Sequence, residues 1–152
     1  MRDLLLPANV WADFAADSKK QVLTDVAARA AQHLNLSAHD IFNVLWEREK
    51  LGTTGVGQGI AIPHGRIEGL STVTGFFARL ASPVSFDAID HRPVDLVFLL
   101  LAPQDAGADH LHALATVSRQ LRDARLCESV RSAKDEATIY QLMTTPPTVQ
   151  AA

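Results

Sequence analysis

Apolar residues recur at every fourth position in "DSKKQVLTDVAARAAQHLNLS", where Val22, Val26, Ala30 and Leu34 form a helical stripe. Asp17 or Ser18 can cap the start of that helix, and Asn35 is placed to end it. The next stretch, "SAHDIFNVLWEREKLG", sets Ser37 three residues before Asp40, a variant of the capping box, with Gly52 just past the end. Ile41, Val44, Leu45 and Arg48 then share one face, so the last turn of a second helix presents Arg48 beside its apolar stripe.

Downstream the period changes. "IAIPHG" alternates as a short strand does, and Pro63, lacking an N–H, confines it to an edge or a strand end. "TVTGFFARLASPVSFDAI" reads as a strand through Phe76 and Phe77, a Ser-Pro turn and a further extended piece. "PVDLVFLLLAP" is apolar from Leu96 to Ala102 and bounded by prolines, the pattern of a central strand buried on both faces. A loop follows, then a helix with Asp109 as its expected N-cap and Leu111, Leu114, Ala115, Ser118 and Leu121 along one side. A last helix is expected to open at Ser132, with Asp135 completing its cap, and to carry Ala137, Ile139, Tyr140, Leu142 and Met143. Helices, then strands, then helices predict one mixed α/β domain over residues 1–145, with a flexible tail over 146–152.

Composition narrows the function classes. A chain of 152 residues with 47% apolar and 20% charged residues can bury a core of ordinary size. Fourteen basic against seventeen acidic residues give a formal charge of −3, and no Lys/Arg block offers the electrostatic footprint of a nucleic-acid binder. No apolar run reaches the ~18–20 residues of a membrane span, and "MRDLLLPANVWADF" lacks the pattern of a cleaved signal. The one cysteine, Cys127, can form no internal disulfide and reads as a small buried apolar group. A reduced, cytoplasmic setting is expected.

The candidate chemistry lies in "GTTGVGQGIAIPHG", Gly52 to Gly65, which holds five glycines. A P-loop requires Lys-Ser/Thr after its last glycine, whereas Gly59 is followed by Ile60, Ala61 and Ile62. A dinucleotide fingerprint requires a third glycine where Ile60 stands, a preceding strand and a following helix. The glycines therefore read either as positive-φ positions in a tight crossover or as clearance around His64. Pro63 stiffens the backbone next to that imidazole, and Gly65 leaves one side open for a metal or a phosphoryl group to approach.

Six histidines allow a metal reading, with His64, His110 and Asp109 as the set that could be assembled. It has no spacing signature: His110 and His112 are two apart, on different sides of a helix. His33, His39 and His91 read as solvated. A phosphoryl reading needs a neutral imidazole to attack phosphorus, with cationic and N–H donors on the equatorial oxygens. His64 as nucleophile, Arg48 as guanidinium donor and His110 in the first turn of a helix supply that set. Taken singly, Arg48 reads equally as an exposed helix arginine and His110 as a capping residue.

"EREKLGTTGVGQGIAIPHGRI" resembles the active-site segment of the type-2 EIIA domains of the bacterial phosphotransferase system, the fructose/mannitol group. The likeness is nearest to the nitrogen-regulatory, PtsN-like branch. It continues through "SPVSFDAIDHRPVDLVFLLLAP" and "HLHALATVSRQL" to "YQLM", from about Leu4 to Met143. The resemblance implies a mixed β-sheet flanked by helices, and a histidine, His64, phosphorylated on Nε2. It implies Arg48 near the phosphoryl group and His110 as the second histidine of the site, His112 occupying a variable position. The implied donor is an HPr-like phosphocarrier protein, itself phosphorylated on histidine. No metal, nucleotide or other cofactor is implied. Two roles follow: a regulator that binds target proteins according to its phosphorylation state, or a relay that passes the group to a separate EIIB. Neither involves nucleic acid or membrane insertion.

Overall fold

The computed structural model describes residues 1–145. A first strand, β1 (Leu5–Phe14), leads into α1 (Lys19–Leu34) and α2 (Ala38–Leu51). Three short strands, β2 (Gly55–Gly57), β3 (Ile60–Ala61) and β4 (His64–Ile67), precede two long ones, β5 (Thr74–Val84) and β6 (Val94–Pro103). The described chain closes with α3 (Ala108–Leu121), α4 (Ala124–Ser132) and α5 (Glu136–Thr144). Ser18 caps α1 by accepting from the Gln21 N–H at 3.1 Å, and Asn35 ends it in the left-handed conformation at φ 57°. Ser37 accepts from the Asp40 N–H at 3.2 Å and opens α2.

The sheet runs β1-β5-β6-β3-β2, with β4 also on β6. No residue from Leu96 to Ala102 of β6 is more than 1% exposed, as its unbroken apolar run predicts. Alternation divides that strand between two cores. Val97, Leu99 and Leu101 pack with Phe76 against Val22, Val26, Ile41 and Leu45 of α1 and α2. Leu96, Phe98 and Leu100 pack with Phe77 against α3, α4 and α5. The result is a helix–sheet–helix sandwich, and the expected mixed α/β class is what the chain adopts.

Four local expectations are corrected. A strand precedes the helices, and its outer edge is capped where Glu136 accepts from the Ala12 N–H at 2.9 Å. The Ser82-Pro83 pair does not end β5; the strand continues to Val84 across a break in register with β6 between Arg79 and Val84. Gly107, not Asp109, is the N-cap of α3, and the buried side is His110, Ala113, Val117 and Leu121 while Leu111 is 66% exposed. No single helix opens at Ser132: that residue ends α4, which Asp123 caps, and Asp135 caps a separate α5. Thr144 is a buried residue of α5, and the tail expected over 146–152 lies outside the described residues. Cys127 is buried and donates its thiol to the Leu121 carbonyl at 3.2 Å, in keeping with a small packed group.

Candidate functional site

The glycine-rich stretch divides into two parts with different work. Gly57, Gln58 and Gly59 all have positive φ and turn the β2–β3 hairpin. Asp90 accepts the Gln58 N–H at 2.7 Å, Arg131 donates to the Gln58 carbonyl at 2.9 Å, and a Cβ on Gly59 would lie 2.6 Å from that arginine. This turn is structural: Gly57 and Gly59 are positive-φ positions as expected, but in a hairpin between two strands and not in a crossover from helix to strand, and they give no clearance around His64. Gly65 beside His64 is likewise not an opening for a ligand. A Cβ there would lie 2.3 Å from Val44 Cγ1, so its missing side chain lets α2 approach β4.

Pro63 interrupts the strand as its missing N–H requires, but β3 and β4 keep one parallel register on β6, Ile60 opposite Leu96 and His64 opposite Leu100. The Pro63 carbonyl accepts from the Leu100 N–H at 2.9 Å, and the Ile62 N–H donates to Thr54 at 2.9 Å. His64 is therefore held by rigid backbone on both sides. Its Nδ1 lies 2.8 Å from the Ile62 carbonyl. A carbonyl oxygen only accepts, so Nδ1 carries the proton and the lone pair resides on Nε2.

His110, in the first turn of α3, brings its ring to 5.7 Å from that of His64, edge to face. No side chain caps this helix end, and its free N–H groups and positive dipole end favour negative charge nearby. Arg66 Nε reaches His110 Nδ1 at 3.4 Å. Guanidinium only donates, so Nδ1 accepts and the His110 proton sits on Nε2. That Nε2 is buried with no hydrogen-bond partner among the described residues. Arg48, one face-mate of Val44 on α2, donates to the Gly52 carbonyl at 2.9 Å, and its charge is felt at His64. Of the three residues expected from the sequence, His64 and His110 come into ring contact, and Arg48 lies near enough for its charge to act on His64. Sequence reasoning misses Arg66, whose partner lies 44 residues away, and Glu49, which in "EREK" looks like part of a solvated charge run but is 6% exposed.

Asp109 of the metal set is exposed, and among the described residues no three His, Cys, Asp or Glu side chains are placed to hold an ion. Burial lowers the pKa of His64 below 6.5; Arg48 pushes it down further, while the Ile62 bond and Glu49 oppose the shift. Burial also lowers His110, helped by the charges of His64 and Arg66. Both shifts favour the neutral rings at neutral pH. The same shifts link stability to pH. The unfolded chain takes up these protons first as pH falls below 6.5, so stability declines until the folded-state values are passed. Urea midpoints should fall as the pH is lowered from neutral through 6.5, and less steeply when both histidines are replaced by alanine. Equal slopes would contradict the assignment.

A family model for the phosphoenolpyruvate-dependent sugar phosphotransferase system, EIIA 2, matches residues 3–145. The nitrogen regulatory protein of Bradyrhizobium diazoefficiens is 47% identical over 149 residues, covering 98% of this chain and 97% of the relative. The crystal structure of nitrogen regulatory protein IIA-Ntr from Neisseria meningitidis superposes with a TM-score of 0.88 at 36% identity, over 93% of this chain and 97% of that one. The Escherichia coli complex of enzyme IIA mannitol with phosphorylated enzyme IIB mannitol shares the fold at a TM-score of 0.77 and 18% identity, over 92% and 98% of the two chains. The helix-flanked mixed sheet, the histidine pair at one end of it and these likenesses agree: the chain belongs to the EIIA 2 family of the phosphotransferase system and is similar to its nitrogen regulatory proteins.

Proposed function

We propose that the chain accepts a phosphoryl group on Nε2 of His64 from an HPr-like phosphocarrier protein and acts chiefly as a regulator through protein contacts. The observation that carries this reading is the 2.8 Å contact between His64 Nδ1 and the Ile62 carbonyl, which leaves Nε2 as the nucleophilic nitrogen. In the transfer, the Nε2 lone pair forms an N–P bond while the donor's N–P bond breaks, its electron pair returning to the donor imidazole. No proton moves. The His64 ring becomes cationic, and its Nδ1–H to Ile62 becomes a charge-assisted bond. His110 Nε2–H and the Arg48 guanidinium are the donors that meet the charge on the phosphoryl oxygens. Placing a dianion on a neutral ring changes the sign of the local surface, which is how such a group switches a partner's affinity.

The regulatory emphasis is supported by likeness to nitrogen regulatory proteins over nearly the whole chain. Onward transfer to a separate EIIB is the second reading, since the mannitol neighbour is solved as a complex with phosphorylated enzyme IIB. Incubation with a phosphorylated HPr-like carrier tests the main reading by intact mass. One acid-labile phosphoryl group is expected, and a protein that gains none overturns it. Discharge of that group on adding an EIIB would favour the relay. Arg48→Ala should slow uptake by about tenfold or more, because one cationic donor to the developing charge is lost. An unchanged rate in rapid-quench measurements would remove Arg48 from the site.

A further inference from the structure

We propose that Glu49 is a positioning residue for His64, its buried carboxylate holding Thr54 and, through Thr54 and Ile62, the carbonyl that keeps the imidazole proton on Nδ1. Each link is short and inside the protein. Glu49 accepts from the Thr54 N–H at 3.0 and 3.2 Å through its two oxygens, and from the Thr54 hydroxyl at 2.5 Å. Thr54, 3% exposed, accepts at its own carbonyl from the Ile62 N–H at 2.9 Å. Ile62, 2% exposed, accepts from His64 Nδ1 at 2.8 Å. Thr54 and Ile62 are thus each fixed at both their N–H and their carbonyl, and Pro63 locks the following φ. The Ile62 carbonyl cannot rotate away without breaking this series.

A carboxylate is an expensive group to bury unless paired and fully bonded. Glu47 and Lys50, its neighbours in "EREK", pair with each other in solvent at 2.8 Å. Glu49 turns inward instead and meets Lys19 of α1 at 3.2 Å. Lys19 also bonds the Phe86 carbonyl at 3.4 Å and Asp87 at 3.2 Å, tying the segment after β5 to the same point. An apolar residue would fill the space without the desolvation cost, but it would leave the Thr54 N–H buried and unbonded. The charge also has a use at His64: Glu49 favours the cationic ring, against burial and Arg48, and the ring becomes cationic when the N–P bond forms.

This inference rests on His64 as the phosphoryl acceptor for its meaning, but the geometry can be tested apart from transfer. The readout is the tautomer and pH midpoint of His64 from imidazole ¹⁵N shifts. Arg48 of α2 and His110 of α3 act on the same ring, with Arg66 bonded to His110, and all three stay unchanged in the variants. In the parent the Nδ1–H tautomer should dominate. In Glu49→Gln it should give way to a mixture, the midpoint should fall, and phosphoryl uptake should slow about tenfold with no change in KM for the carrier. Glu49→Asp, which keeps the charge, should recover part of each. If Glu49→Gln does not fold, Lys19→Met, which removes the cation seating the carboxylate, should shift the tautomer in the same direction. A folded variant with the parent's tautomer and midpoint overturns the proposal. A shifted tautomer in a protein whose His64 is never phosphorylated would uphold the positioning role and overturn the acceptor assignment.

Discussion

His64→Ala is expected to take up no phosphoryl group while remaining folded. His64 is only partly buried, and its place on β4 is set by backbone pairing with Leu100 of β6, which the substitution leaves intact. The loss is one side-chain bond to the buried Ile62 carbonyl, about 1–3 kcal/mol of stability because that acceptor is left without its donor. His110 cannot take over although its ring lies 5.7 Å away. Its Nδ1 lone pair already accepts from Arg66, and its other nitrogen carries a proton and has no lone pair to offer. The two histidines are chemically alike but are held in opposite tautomers, one with its lone pair on Nε2 and the other with its proton there. Residual label on His64→Ala, traced to His110, would show that the tautomers are not fixed as described.

Gly65→Ala should be destabilised by about 1–3 kcal/mol and slowed in transfer together, because one added methyl separates two elements of the site. The new Cβ would lie 2.3 Å from Val44 Cγ1, and a β-branched valine in a helix has little rotamer freedom with which to yield. Relief must come from α2 moving off β4. That helix also carries Arg48 and Glu49, so the guanidinium and the buried carboxylate move with it relative to His64. Val44→Ala in the same protein should restore most of both losses, since it removes the clashing methyl. Chemical denaturation and rapid-quench transfer on the two single variants and the double variant measure this. Additive losses in the double variant would show that the close approach at Gly65 is not what positions α2.

Much of this arrangement can be read from the chain where one local signal dominates. Serine caps at Ser18 and Ser37, a left-handed stop at Asn35 and the apolar run of β6 each fix an element without help from tertiary contacts. The pairing of His64 with His110 is legible because each has a local reason to sit at an element's start. Proline breaks the strand before His64, and the loop after Pro103 opens a helix. What is not legible depends on distant partners. β1 carries Pro7 and pairs out of step with β5, so its alternation is blurred, and its edge is closed by Glu136 from the far end of the chain. The face of α3 is misread because leucines draw attention, whereas the sheet selects His110, Ala113 and Val117 for burial and leaves Leu111 outside. Gly65 is read as space for a ligand because a sequence does not reveal which neighbour will fill it. Arg66 and Glu49 look like ordinary surface charges until His110 and Thr54 arrive beside them.

We propose that Nε2 of His64 receives the phosphoryl group while Nδ1 keeps its proton on the Ile62 carbonyl. The most direct test of this proposal is the ³¹P–¹⁵N coupling of the phosphorylated, ¹⁵N-labelled protein at neutral pH. The predicted result is a single phosphorus coupled to Nε2 of His64, with the Nδ1 proton still present and protected. Phosphorus coupled to Nδ1 of His64, or to either nitrogen of His110, would contradict it.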